Sequence, residues 1–180
     1  MLDLAIFHEK ELQARYQRTL FDPKYKFYHR FSTIRYGLEL SVSSDTIQMV
    51  SLDAGQVVGF FSADINRETN TAYNLSIIKF LDSPEFSADI FGFFIMLFTQ
   101  LGIERVVWDV IIGNPAEKFY DYIAANYGGR IVGTFRNEAR LADGQLYDVK
   151  YYEMYREEAL QAVVDKQVDG YTYRRAGDAT

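Results

Sequence analysis

One helix-forming stretch with almost no polar face constrains this chain more than any other feature. Residues 88–101 read ADIFGFFIMLFTQL, and apolar side chains run nearly all the way round a helix of that length. Such a helix has to be covered on several sides. Strand-like apolar runs lie before it, AYNLSIIKFL at 72–81, and after it, RVVWDVII at 105–112. We therefore predict that the helix is a crossover between two strands, which makes those strands parallel.

The ends of this helix follow from the residues around it. DSPEF at 82–86 is a turn sequence, Ser87 can cap a helix from about Ala88 to Leu101, and Gly102 can end it. The aromatic cluster from Phe91 to Phe98 is interpreted as core.

Three strand-like runs before the crossover predict an antiparallel meander. TIQMVSLD at 46–53 and VVGFFSADINR at 57–67 flank the hairpin signal AGQ, and ETNT at 68–71 separates the second run from the third. A final antiparallel hairpin is expected after residue 129, because GRIVGTFRNEARL and LYDVKYYEMYR surround the turn sequence Asp143-Gly144.

The N-terminal region contains an amphipathic pattern followed by an aromatic loop. HEKELQARYQRTLF places Leu12, Tyr16 and Leu20 on one helical stripe. DPKYKFYHRF, at 22–31, is aromatic and partly basic. The loop is a candidate pocket wall, and its alternative role is a protein–protein surface.

A short helix with strong end signals follows the run at 105–112. In GNPAEKFYDYIAANYGG, Asn114 suits the N-cap, Pro115 the first helical position and Glu117 a capping box, while Gly128 and Gly129 can end the helix.

Composition limits the class of protein. The 180 residues, 48% hydrophobic and 16% aromatic, predict one domain over 1–180 with a frayed tail at 170–180 that includes Arg174 and Arg175. A net charge of −6 disfavours nucleic acid as a partner. No run is long enough to span a bilayer, so we expect a cytoplasmic protein. The absence of cysteine and the spacing of His8 and His29 predict no metal site.

The order of these elements resembles that of the GNAT acetyltransferases. GIERVVWDVIIGNPAEKFYDYIAANYGGRIVGTF is similar to a segment of that family: an apolar strand, an Asn, a small residue, an aromatic-Tyr pair, glycine and a returning strand. The similarity covers residues 46–158, extending through LADGQLYDVKYYEM and weakly back to AGQVVGFF. It implies an α/β (α+β) mixed sheet and transfer of an acetyl group from acetyl-CoA, as co-substrate, to a primary amine. A homodimer is a further possibility.

The resemblance implies a cofactor site between the two parallel strands. Where such strands diverge, their unpaired backbone groups can hold the pantetheine arm like an added strand, and donors from 75–78 can stabilise the oxyanion. In the family, pyrophosphate rests on the N-terminus of the crossover helix. The residues expected to bind the cofactor are Leu75, Ser76, Ile77, Ile78, Lys79, Phe86, Ser87, Ala88, Asn114 and Lys118.

This chain departs from the family at the pyrophosphate position. The family has a basic residue or Gln followed by two glycines, whereas DSPEFSADIFG stands here. Asp82, Glu85 and Asp89 bring negative charge to that place, with Lys79, Lys118 or Arg130 as the cations that could offset it. The spacing also differs, because aligning Ala116, Phe119 and Tyr120 with the family puts Gly113 in the Asn slot. N-acetyl transfer is the expected function, and the acidic turn is the best support for an alternative, a GNAT-shaped binding or structural module without catalysis.

Two residues are candidates for catalysis. Tyr120 resembles the tyrosine that protonates departing CoA thiolate in many members of the family, and its alternative role is core packing. Asp64 could relay a proton from the amine through water, or it could be a solvated surface carboxylate. For Asp109, inside RVVWDVII, a salt bridge or a strand-end position is favoured over general-base work, since a buried carboxylate needs a partner. Asn114 is favoured as a helix cap over a cofactor contact.

Overall fold

The computed structural model describes residues 1–30 and 34–177, with side chains to residue 166, and is built on one seven-stranded mixed sheet. The strand order is β1-β2-β3-β4-β5-β7-β6. The strands are β1 (Leu2–Leu4), β2 (Thr46–Asp53), β3 (Gln56–Asn66), β4 (Thr71–Lys79), β5 (Arg105–Ile111), β6 (Gly129–Arg140) and β7 (Leu146–Tyr155). The helices are α1 (Glu9–Thr19), α2 (Pro84–Thr99), α3 (Glu117–Asn126) and α4 (Arg156–Gly177), with 3-10 turns at Ala5–His8 and Pro23–Tyr28.

The predicted parallel crossover is confirmed. Helix α2 connects β4 to β5, and these two strands are parallel neighbours. They pair only at Thr71 with Arg105 and at Ala72 with Val106, after which they diverge. On its other side β5 pairs antiparallel with β7 along its full length. The rest of β4 and β5 therefore face each other without a shared ladder.

The start of α2 differs from the prediction. The helix begins at Pro84, and its N-cap is Ser83, whose Oγ accepts a hydrogen bond from the Glu85 N–H at 3.1 Å. Ser87 therefore lies inside the helix, and placing the cap there was wrong. Ser83 followed by Pro84 is the stronger signal, because proline fits the first helical position without losing a hydrogen bond. Gly102 follows the helix with φ of +63°, as expected for a helix-ending glycine.

The capping residues of α3 are also displaced from the prediction. The helix begins at Glu117 with Ala116 as its N-cap, so Asn114 does not cap it. Asn114 instead closes the turn before the helix, because its Oδ1 accepts from the Ala116 N–H at 3.0 Å. The Glu117 carboxylate reaches back to the Gly113 N–H at 3.1 Å. Each bond of the predicted capping box therefore uses an N–H one residue earlier than expected.

The core lies on both faces of the sheet. The larger cluster packs α2 and α3 on one face and includes Phe61, Phe93 and Trp108. The smaller cluster packs α1 and the aromatic loop on the other face and includes Leu12 and Phe60. Neighbouring residues of β3 therefore serve opposite layers, as the alternation of a strand requires.

Two elements are additional to those predicted: strand β1, which pairs with β2 at the sheet edge, and helix α4, which runs from Arg156 to Gly177. Strand β7 was predicted as part of the final hairpin, but its place between β5 and β6 was not. The tail predicted to fray from residue 170 falls on α4 and, for 178–180, outside the described residues, so that prediction stays untested.

Gly128 provides a test of how α4 packs on the rest of the fold. Its φ is +75°, and a Cβ built there would lie 2.6 Å from the backbone of Glu158 in α4. We expect Gly128→Ala to lower the free energy of unfolding by about 2–4 kcal/mol, because left-handed strain adds to a backbone clash. Urea denaturation measures the change.

Gly55→Ala is the matched control, since Gly55 has φ of +79° and nothing within 4 Å of its built Cβ. It should lose about 1 kcal/mol from backbone strain alone. Equal losses in the two variants would contradict the packing of α4 on this turn.

Candidate active site

A cavity of about 390 Å³ lies where β4 and β5 diverge. One wall is residues 75–78 of β4, and the opposite wall is the end of β5 with Asn114, Ala116 and Tyr120. Phe27, Tyr28 and Arg30 of the aromatic loop also line it. The loop therefore forms a pocket wall, as the sequence predicted.

The register of β4 decides which of its backbone groups face this cavity. Phe80 N–H donates to Val58 O at 2.9 Å, which makes these two a hydrogen-bonded pair. Because antiparallel ladders alternate, Ser76 and Ile78 point their backbone groups at β3, while Leu75 and Ile77 point theirs at the gap. Only half of the expected 75–78 segment therefore offers backbone groups to a ligand in the cavity.

A bulge in β4 opens the cavity. The pairing with β3 shifts between Ser62 and Asp64, and Asn74 adopts φ of +52°. Asn74 is held there because its Nδ2 donates to Asp64 Oδ2 at 2.8 Å. Asp64 also accepts from the Thr46 hydroxyl at 3.4 Å. Asn74 lines the cavity, and Asp64 lies behind it as the residue that fixes the bulge.

Tyr120 borders the cavity from within an aromatic cluster. It is 9% exposed, and its ring centroid lies 6.4 Å from that of Trp108 and 6.2 Å from that of Tyr152. Burial raises the pKa of its phenol well above the usual value, and Tyr28 and Asp109 raise it further. The phenol is therefore neutral at physiological pH and can donate a hydrogen bond. Both roles considered for Tyr120, packing and chemistry, are compatible with this position.

A charge network fixes helix α3 to the sheet through two acids, one before and one after Tyr120 in the sequence. Lys150 of β7 pairs with Glu117 at 2.6 Å and with Asp121 at 3.1 Å. The Tyr152 hydroxyl donates to Asp121 Oδ1 at 2.8 Å. Glu117 and Asp121 are four residues apart and so share a face of the helix. This spacing of two acids is the sequence signal for a cationic partner.

Asp109 forms a salt bridge, one of the two roles that the sequence favoured for it. Arg30 donates to its carboxylate, and both residues line the cavity. Burial raises the pKa of Asp109, although the Arg30 guanidinium opposes that shift. The sequence indicated that Asp109 needs a partner, but not that Arg30, 79 positions away, supplies it.

The residues expected to hold pyrophosphate are not brought together as predicted. The Phe86 side chain is in the core, stacked on Phe61 at 5.3 Å with its ring 2.2 Å from a Cβ built at Gly59, so the expected cofactor contact by this side chain is wrong. Ser87 and Ala88 are exposed within the helix rather than at its first position.

The charged groups around the same helix also have other partners. Asp89 accepts from the Ser51 hydroxyl at 2.7 Å, which places it against β2 and not beside the gap. Lys79 pairs with Asp82 at 2.7 Å. Arg130 pairs with Glu153 near the start of β5, at the opposite end of the sheet from the N-terminus of α2. Lys118 is the exposed cation on the first turn of α3.

The two histidines belong to separate contacts. His8 Nε2 lies 2.8 Å from Asp3, and His29 Nε2 lies 2.8 Å from the buried Thr19 hydroxyl. Within the described residues, no three His, Asp or Glu side chains converge as metal ligands. No described helix combines the length and apolar character needed to cross a membrane.

Comparison with solved structures identifies the fold. A variant of the spermidine N-acetyltransferase SpeG from Vibrio cholerae matches at 23% identity and a TM-score of 0.53, covering 64% of this chain and 69% of that one. SpeG with bound manganese matches at 22% identity and a TM-score of 0.54, covering 65% of this chain and 69% of that one. A structure named only as a candidate acetyltransferase matches at 22% identity and 0.53, covering 65% and 60%.

The chain has the GNAT acetyltransferase fold. This confirms the predicted mixed sheet with its meander, parallel crossover and final hairpin. No family model and no curated protein matches the sequence.

The Lys150 network makes the stability of this domain sensitive to acid. The hydrogen bond from Lys150 lowers the pKa of Glu117; burial would raise that of Asp121, but hydrogen bonds from Tyr152 and Lys150 lower it. Because these pKa values are lower than in the unfolded chain, the ionised carboxylates stabilise the fold above about pH 4. That stability is lost as the pH falls through the lowered pKa values. We expect Lys150→Met to lower the melting temperature at pH 7 and to flatten its decline between pH 6 and pH 3.

Lys118→Met is the matched control, since Lys118 is an exposed lysine on α3, the helix that carries Glu117 and Asp121. The plot of its melting temperature against pH should stay parallel to that of the wild type. A decline in Lys150→Met as steep as in the wild type would show that the network does not carry the acid sensitivity.

Proposed function

We propose that the chain transfers an acyl group from an acyl-CoA, with acetyl-CoA as the reference donor, to a primary amine. The observation that carries the proposal is the cavity between the diverging parallel strands, bordered by a neutral, buried tyrosine. The backbone groups of Leu75 and Ile77 face this gap and can pair with the amides of a pantetheine arm. The GNAT fold supports the same reaction class by analogy.

The reaction needs no covalent enzyme intermediate. The neutral amine nitrogen attacks the thioester carbonyl carbon, a C–N bond forms and the C–S bond breaks, giving an amide and a thiolate that takes its proton from solvent. Backbone N–H groups of β4 facing the gap stabilise the oxyanion. The amine loses one proton, for which Asp64 is the proposed acceptor, reached through water past Asn74.

Tyr120 is proposed to donate a hydrogen bond to the leaving sulfur. Its raised pKa keeps the proton on the phenol but also makes full transfer to a thiolate less favourable, because a thiol has a pKa near about 8.5. A hydrogen bond that stabilises the departing thiolate fits this environment better than complete protonation. Its contribution should therefore lie at the lower end of general acid catalysis.

One observation favours a second candidate, a GNAT-shaped binding or structural module. The loop before α2 uses its own backbone donors internally, and Phe86 fills the space beneath the helix start. A chain that had lost cofactor binding would show the same features. Acetyl-CoA binding separates the two candidates.

Acceptor, assembly and location belong to the proposal as well. Spermidine is the acceptor named for the SpeG structures, and it is the first primary amine to test here. We retain the homodimer and the cytoplasm as proposals, and edge strand β6, with exposed Ile131, Val132 and Phe135, is the place to probe a dimer.

Acetyl-CoA should stabilise the folded protein if the cavity binds it. At 1 mM ligand and a dissociation constant near about 10 µM, mass action adds about 2.7 kcal/mol. For a domain of this size, that corresponds to a rise of about 5–10 °C in melting temperature. An unchanged melting temperature at this concentration would favour the module without catalysis.

Replacing Tyr120 by Phe removes one hydroxyl and keeps the ring. We expect kcat with acetyl-CoA and spermidine to fall by about 10²-fold, with the melting temperature and acetyl-CoA affinity nearly unchanged. Tyr122→Phe is the control, because Tyr122 is a 49% exposed tyrosine on the same helix. A loss below tenfold in Tyr120→Phe, or an equal loss in the control, would assign Tyr120 to packing.

A further inference from the structure

The connection between β4 and α2 turns its backbone groups towards the protein. Phe80 N–H and Leu81 N–H both donate to Val58 O, at 2.9 and 3.1 Å. The Phe80 carbonyl accepts from the Tyr25 hydroxyl at 3.0 Å. This loop is therefore fixed against β3 and the aromatic loop, and these two N–H groups are not available to a phosphate.

The cap of α2 is likewise formed by the protein's own groups. Pro84 has no N–H, and the Glu85 N–H already donates to Ser83 Oγ at 3.1 Å. The Ser83 hydroxyl in turn donates to Asp53 Oδ2 at 2.7 Å. An anion seated on this helix end would have to displace the cap, so the usual attraction of a helix N-terminus for phosphate is largely cancelled.

The charge at this helix end is unfavourable to pyrophosphate as well. Asp53, Asp82 and Glu85 surround it, and Asp82 is 94% exposed. Lys79 is paired with Asp82 at 2.7 Å, and the Met1 ammonium lies 3.7 Å from Glu85. Lys24 is also near Asp82 but lies 3.7 Å from Asp22. Acids therefore outnumber lysines here, and a phosphate approaching this turn is repelled.

The cavity has the opposite character. Its β4 wall offers the backbone groups of Leu75 and Ile77, and the facing wall offers Asn114 and Tyr120, all uncharged. The charged side chains of the lining are balanced, because Arg30 pairs with Asp109, and Arg35 and Glu39 add one charge of each sign. A pantetheine arm is extended, uncharged and carries two amides, so its chemistry matches this gap, whereas the nucleotide of CoA has no matching site at the start of α2.

From this contrast we infer that the chain recognises its donor through the acyl-pantetheine arm and gains little from the nucleotide. The substrate class is then an acyl thioester of pantetheine, with or without the adenosine phosphates of CoA. The inference rests on the proposed acyl transfer and specifies its donor. It also explains why one protein has both a cavity that suits pantetheine and a start of α2 that does not suit phosphate.

Calorimetric titration with CoA and with pantetheine tests the inference directly. We expect dissociation constants that agree within tenfold, no binding of adenosine 3′,5′-bisphosphate, and kcat/KM values for acetyl-CoA and S-acetylpantetheine, with spermidine as acceptor, that also agree within tenfold. A preference of tenfold or more for the CoA forms overturns the inference and leaves the proposed function intact. Failure of both CoA and pantetheine to bind overturns the proposed function and the inference with it.

A charge variant supplies an independent test. Asp82→Asn removes an exposed acid and releases Lys79, so kcat/KM for acetyl-CoA should rise about two- to fivefold while that for S-acetylpantetheine stays unchanged. Glu68→Gln is the control, because Glu68 is exposed in the β3–β4 turn at the other end of β4 and should leave both values unchanged. A fall in acetyl-CoA turnover in Asp82→Asn would show that the turn assists the nucleotide, and would overturn the inference.

Discussion

The separation of β4 from β5 is the constraint on which the rest of this structure depends. Two residue pairs join the strands, and the bulge at Asn74 then directs β4 away. Unpaired strand edges inside a protein are costly unless other groups satisfy them. The aromatic loop, α3 and a cavity occupy the space between the strands, so the site exists because the sheet is interrupted there.

The local signals that set this arrangement could be identified in the sequence. An almost wholly apolar α2 required coverage, which implied a crossover and hence a parallel pair. The hairpin turns and the glycine that ends α3 follow from backbone chemistry that few residues satisfy. The insertion of β7 between β5 and β6 could not be predicted in this way, because a hairpin signal specifies which strands pair but not on which side a third strand lies.

The site was less predictable than the fold, because its contacts join residues that are distant in the sequence. Tyr120 and Asn114 were assigned to the site because the segment after β5 resembles that of the GNAT family, and both line the cavity. The pairing of Arg30 with Asp109, and of Lys150 with Glu117, joins positions far apart in sequence, and only the folded arrangement brings them together. Phe86 was misassigned because position in a turn says nothing of whether a side chain points outward, and Gly59 leaves space for its ring on the sheet.

The position of β7 has a consequence for how the chain acquires its structure. Strand β5 shares only two residue pairs with β4, so most of its hydrogen-bonding partners come from residues 149–155. During synthesis, β5 and the α3 that follows it must wait for some forty further residues before their neighbour emerges. The meander of β2, β3 and β4 depends on local contacts and can form early, whereas the half of the sheet that closes the cavity forms late. The two walls of the site therefore originate at different stages of folding.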